Sequence, residues 1–116
     1  MGKKQNNKII VFSEDLKENL EFLVSIIAQN YHKYKMIIIE SKINAGGVSS
    51  QKLRTARMDK AKIDSVADSL SYYSKMIIDV DVILKDEGVS YLEKMSKSQY
   101  YRYRFTAYHE FITKLS

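Results

Sequence analysis

The chain contains neither cysteine nor proline. Without a thiol there is no disulfide framework and no thiolate metal site, and the two histidines, His32 and His109, lie too far apart in sequence to suggest one local site. No metal and no other cofactor is expected. Without proline the commonest helix breaker is missing, which leaves glycine as the strong punctuation, at Gly2, Gly46, Gly47 and Gly88. Long hydrophobic runs are missing as well. The longest, Met36 to Ile39, falls far short of the roughly 20 apolar residues that a membrane-spanning helix needs. The apolar stretch Ile9 to Phe12, behind MGKKQNNK, is short and lacks a small-residue cleavage site, so a protein of the bacterial host cytoplasm, with no membrane partner, is expected.

The usual signatures of catalysis are also lacking. Neither histidine has a carboxylate at a helical step to orient its ring, and Asp79 and Asp81, two residues apart, point to different sides of a helix and make a poor metal site. No Lys-Ser or Lys-Thr pair follows Gly46 and Gly47 at the spacing of a phosphate loop. The expectation is a protein that is not an enzyme.

What is present is helical periodicity and segregated charge. In 116 residues, enough for one core, 45% are hydrophobic and 28% charged, with a net charge of +5. Residues 52 to 62 carry Lys52, Arg54, Arg57, Lys60 and Lys62 against Asp59 alone; this block reads as a solvated face, with phosphates or a partner helix as the alternative. Residues 94 to 104 carry Lys94, Lys97, Arg102 and Arg104 against no acid, while residues 64 to 93 hold seven acids against Lys75 and Lys85.

The pattern predicts an all-α fold, a small helical domain with a C-terminal helix-turn-helix. Residues 1–12 read as a flexible basic arm ending in Ile9, Ile10 and Val11, for which a short strand and an extended arm both fit. Ser13 caps a helical segment over 13–43 with Glu14 and Asp15 in its first turn and Leu16, Leu20, Leu23, Ile27, Tyr31 and Tyr34 on its packed face; one helix or two both fit. A loop over 44–50 follows, where Gly46 and Gly47 permit positive φ. A helical domain over 51–116 then begins with Leu53, Ala56, Ile63, Ala67 and Leu70, a row interrupted by Lys60. Ser71 opens a third helix with Met76, Ile77, Val80, Ile83 and Leu84 as its stripe and Gly88 as its stop.

The most specific grammar lies in 89–116. Ser90 caps a short helix through Met95, and Ser96 with Gln99 forms a capping box that starts a new one. Tyr100, Tyr103, Ala107 and Phe111, extended by Leu115, share its packed face. Lys97, Ser98, Tyr101, Arg102 and Phe105 share the free face, as a recognition helix requires. Arg102 is the candidate for a bidentate guanine contact, Tyr101 and Phe105 for thymine methyls, and Lys94 and Arg104 for flanking phosphates. The faces depend on Ser96 being the N-cap, since a shift of one residue exchanges Tyr100 for Tyr101.

The string Met95-Ser96-Lys97-Ser98-Gln99-Tyr100-Tyr101-Arg102-Tyr103-Arg104, followed by Ala107, resembles the C-terminal signature of phage late-gene transcription regulators of the ArpU and RinA kind. The resemblance implies a sigma-region-four-like helix-turn-helix, a phage or prophage activator, double-stranded DNA as partner and contact with host RNA polymerase. The stripe from Leu16 to Tyr34 is long enough for a homodimer seam, and a buried core helix fits it equally well. Two other classes fit the same composition: a helical protein-interaction module, such as a phage-encoded inhibitor of a host factor or an assembly protein, and a sigma-like factor. Tyrosine and arginine are favoured at protein interfaces too.

Overall fold

The computed structural model describes residues 11–44 and 46–116, and within them the chain is all-helical. The arm expected over 1–12 lies outside the described residues except for Val11 and Phe12. The first helix, α1 (Glu14–Ile43), is one unbroken rod of 30 residues, because nothing between Ser13 and Asn44 interrupts it. Ser13 Oγ accepts from the Leu16 amide at 3.2 Å, and Glu14 and Asp15 face the positive end of the helix dipole.

The packed face of α1 is displaced from the expected row. Leu20, Val24, Ala28 and Tyr31 are buried, whereas Leu16 and Leu23 are 39% and 41% exposed. The displacement arises because α1 packs against three other elements at once, so its buried strip faces their junction and not its most apolar row.

The turn after α1 also departs from expectation. Neither Gly46 nor Gly47 takes a positive φ; among the described residues that conformation occurs at Gly88 alone. A Cβ at Gly47 would fall 2.8 Å from Asn44 Nδ2, so the Asn44 side chain would have to turn aside to admit one. Ser49 then caps α2 (Ser50–Asp68), accepting from the Lys52 amide at 3.2 Å. Ala56, Ile63 and Ala67 on α2, and Leu70 beyond it, are buried as the periodicity predicts. Lys60 breaks that row with reason: it pairs with Asp64 at 2.9 Å and lies 5.4 Å from the centre of the Tyr31 ring, while the Tyr31 hydroxyl donates to Asp64.

The third helical segment begins at Ser71 and stops at Gly88, as expected, but it is not one regular helix. A short α3 (Tyr72–Ile78) passes into a π-helical turn over Asp79–Ile83, where the Leu84 amide donates to Asp79 O at 2.7 Å, and then into a 3-10 turn over Lys85–Glu87. The wider turn alters the phase of the helix. Ile77 and Ile78 are buried before the turn and Val80 and Val82 within it, and the expected core members Met76, Ile83 and Leu84 are only half-buried. Gly88 ends the segment at φ 69°, which a side chain would strain.

The start of α3 is capped from elsewhere in the chain. Glu110 accepts from the Ser71 amide at 3.1 Å and from the Ser71 hydroxyl at 2.9 Å, and Lys114 lies 3.5 Å from the same carboxylate. Burial raises the Glu110 pKa, but hydrogen bonds from Ser74 and Ser71 outweigh it and hold the carboxyl below its ordinary value. A depressed carboxyl stabilises the fold above its unfolded value, about 4.3, and that contribution is lost as pH falls through the lower folded value. The urea midpoints of wild type and Glu110→Gln should therefore differ at neutral pH and converge below pH 4. A constant difference across that range would show that the charge contributes nothing.

Candidate nucleic-acid interface

The last helix, α4 (Lys97–Leu115), starts where the capping box places it. Ser96 Oγ accepts from the Gln99 amide at 3.1 Å, and Gln99 Oε1 accepts from the Ser96 amide at 3.1 Å. Gln99 Nε2 also donates to the Tyr73 hydroxyl at 3.0 Å, which ties the cap to α3. With Ser96 as N-cap the faces are fixed: Tyr100 is buried and Tyr101 is 54% exposed. Ala107 and Phe111 are fully buried, and Tyr103 and Leu115 are half-buried.

The segment before α4 differs from the expected first helix of a helix-turn-helix. Between Ser90 and Met95 there is a single 3-10 turn, Tyr91–Glu93, closed by its own Ser90/Glu93 capping box. Three residues cannot offer a packing face of helical length. The turn acts as a strap: Tyr91 stacks on Tyr100 with centroids 4.1 Å apart, and Met95 is buried. The platform under α4 is α3, where Tyr73 stacks flat on Tyr103 at 4.6 Å.

Two residues expected to meet DNA are instead engaged with the body. Arg104 was expected at a flanking phosphate; its guanidinium pairs with Glu21 of α1 at 2.7 Å, donates from Nε to the Tyr108 hydroxyl at 3.1 Å and lies 5.0 Å from the Phe105 ring centre. A half-buried arginine is held where a carboxylate and ring faces can replace part of its water, and Glu21 supplies the carboxylate. Phe105, expected at a thymine methyl, is half-buried against the core and meets Tyr108 edge-on at 5.8 Å.

The anchor of this region was not anticipated. Asp81, in the π-helical turn, accepts from the Tyr100 hydroxyl at 2.7 Å and from the Tyr108 hydroxyl at the same oxygen. Burial and the nearby Asp81 charge push the Tyr108 hydroxyl up to about 12, and burial with the Asp81 hydrogen bond raises Tyr100 as well. Both phenols stay protonated at neutral pH and serve as donors. Tyr108 stands four residues from Arg104 and eight from Tyr100, so its side of the helix was legible; its acceptor, 27 residues upstream, was not.

The exposed set that remains is Lys94, Lys97, Ser98, Tyr101 and Arg102. Among the described residues, Lys94, Lys97 and Arg102 form no ion pair, and Arg102 lies 5.7 Å from the centre of the Tyr103 ring. Lys52, Arg54, Arg57 and Lys62 on α2 are exposed and likewise form no ion pair with described residues. His32 does acquire a carboxylate, from a distant turn: Nδ1 lies 3.0 Å from Asp86, which Lys35 also reaches at 2.8 Å. His109 packs on Phe12 at 5.7 Å, Asp79 pairs with Lys75, and no group of three metal-ligating side chains occurs among the described residues. No described helix is long and apolar enough to cross a membrane. Compared with known protein families, characterised proteins and solved structures, the chain matches none of them.

Proposed function

We propose that the chain is a sequence-specific DNA-binding transcriptional regulator of a phage or prophage that enters the major groove with the N-terminal half of α4. The observation that carries this reading is the exposed, acid-free start of that helix, with Lys94, Lys97, Ser98, Tyr101 and Arg102 outward and its inner face fixed to α3 and Asp81. Rigid mounting keeps base contacts in register, and unpaired cations favour phosphates over an intramolecular partner. The motif from Met95 to Arg104 adds the resemblance to late-gene activators, with host RNA polymerase as a second partner. The docking mode differs from a compact helix-turn-helix, because α4 rests on α3 and not on a helix immediately before it.

The test is binding to duplex DNA over a range of salt. Neutralising several phosphates gives a slope of log affinity against log salt of about −0.9 per phosphate. Lys94→Ala should weaken binding to every sequence alike and reduce the slope by about one contact. Affinity that is flat in salt would sink the reading.

One observation favours a protein partner. On α1, Phe22 is 65% exposed, with Leu23 and Ile26 beside it at 41% and 36%. Such a patch suits a second copy of the chain or a host factor. Sedimentation of the free protein separates the two: a dimer whose DNA affinity falls together with Phe22→Ser dimerisation supports paired reading of a two-fold site.

A further inference from the structure

A hollow of about 150 Å³ lies where the start of α1 meets the middle of α4. Its polar lining comes from both helices: Lys17 from one, and Tyr101, Arg102 and Thr106 from the other, with the Phe105 ring also in its wall. A water needs about 10–15 Å³ of such space, so the hollow has room for a tetrahedral oxyanion that keeps part of its hydration. Val11 and Phe12 complete the wall, and no acidic side chain among the described residues lines it.

We infer that this hollow is a phosphate site in which Lys17 is the principal cation, with the Tyr101 and Thr106 hydroxyls as donors and Arg102 at its mouth. Lys17 is positioned for the task, since its ammonium lies 5.4 Å from the Phe105 ring centre, where the ring face favours a cation. Its present partner is Glu14, at 3.4 Å, whose side chain is 84% exposed. An exposed pair of this kind contributes little, so a phosphate can displace it. Lysine and hydroxyls recognise a phosphate as a charge with acceptor oxygens and carry no information about base sequence.

The source of the phosphate rests on the proposed function: beside the outward face of α4, it is the backbone of the duplex that Arg102 reads. Lys17 then sets the depth and tilt of α4 from outside the terminal helix. A free phosphate compound is the other source of the same chemistry.

The two are separated by a paired experiment on the full chain, with wild type, Lys17→Gln and Lys17→Arg. Amide NMR with inorganic pyrophosphate should move Lys17, Tyr101 and Thr106 in the wild type and Lys17→Arg, and leave them in place in Lys17→Gln. Random duplex should bind Lys17→Gln about tenfold more weakly, with the salt slope smaller by about 0.9, and Lys17→Arg as well as wild type. Pyrophosphate shifts without any change in duplex affinity would retain the site and assign it to a free phosphate compound. Pyrophosphate shifts in a protein that binds no DNA would retain the site and remove the proposed function. Steep salt-dependent DNA binding that Lys17→Gln leaves intact, with no shift at these amides, would overturn the phosphate site and leave the proposed function standing.

Discussion

Replacing Phe111 by alanine should cost about 3–5 kcal/mol of folding stability, the usual range for deleting a fully buried aromatic side chain. Phe111 is fully buried, and it belongs to the cluster in which α4 meets the other three helices through residues such as Leu20, Ile63 and Ile77. No single neighbour can move to fill the space, because each is held by a different element. A domain of this size has about 5–15 kcal/mol in total, so the variant approaches the limit of folding. Urea denaturation should show a much lower midpoint with an unchanged slope. Phe111→Leu keeps most of the volume and should cost about 1.5 kcal/mol or less. A loss below 1 kcal/mol for the alanine variant would mean that α4 is not seated in the core, and the division of its faces would fall with it.

That division was legible where its causes are local. A capping box acts over three residues, so Ser96 and Gln99 announced the start of α4, and with the start known the helical period put Tyr100 inside and Tyr101 outside. Ser13 and Gly88 marked other boundaries for the same reason; Ser71 marks one too, but its side chain makes no cap bond to α3 and is held by Glu110, 39 residues on. The π-helical turn was illegible, because Asp79 to Ile83 read as ordinary helix and the wider turn is maintained by its tertiary contacts, Val80 and Val82 in the core and Asp81 beneath two tyrosines. The stripe on α1 was half legible: period alone marks an apolar side, but which row is buried depends on where three neighbours converge.

The partners of charged residues were the least legible part. Arg104 and Arg102 look alike in sequence, two residues apart in an acid-free run, and a basic stretch by itself suggests that both face a polyanion. Glu21, more than eighty residues upstream, separates their roles by pairing with Arg104 alone. His32 and Asp86, and Lys60 with Tyr31, are cases of the same kind. Tertiary folding chooses the partner, and the choice decides which cations stay free for a ligand.

Under the proposed DNA-binding function, Arg102 is the cation whose loss should be felt most. A bidentate arginine on a guanine edge contributes about 1–3 kcal/mol of discrimination against the wrong base, so Arg102→Ala should reduce the preference for a selected site over scrambled duplex by roughly five- to 150-fold. Selection of sites from a random duplex library supplies the cognate sequence, and titration of wild type and variant against cognate and scrambled duplexes supplies the ratio. The fold should be indifferent: Arg102 is exposed and its one aromatic contact, with Tyr103, is worth about 0.5–1 kcal/mol at such a site. Arg102→Lys restores the charge without the fork, and it should recover binding to all sequences while discrimination stays low. Arg104→Ala should do the reverse, lowering the urea midpoint by removing the partner of Glu21 and leaving discrimination intact in whatever fraction is folded. Equal loss of discrimination in both variants would mean that the two arginines act through the stability of α4, and Arg102 would then have no place at the base edges.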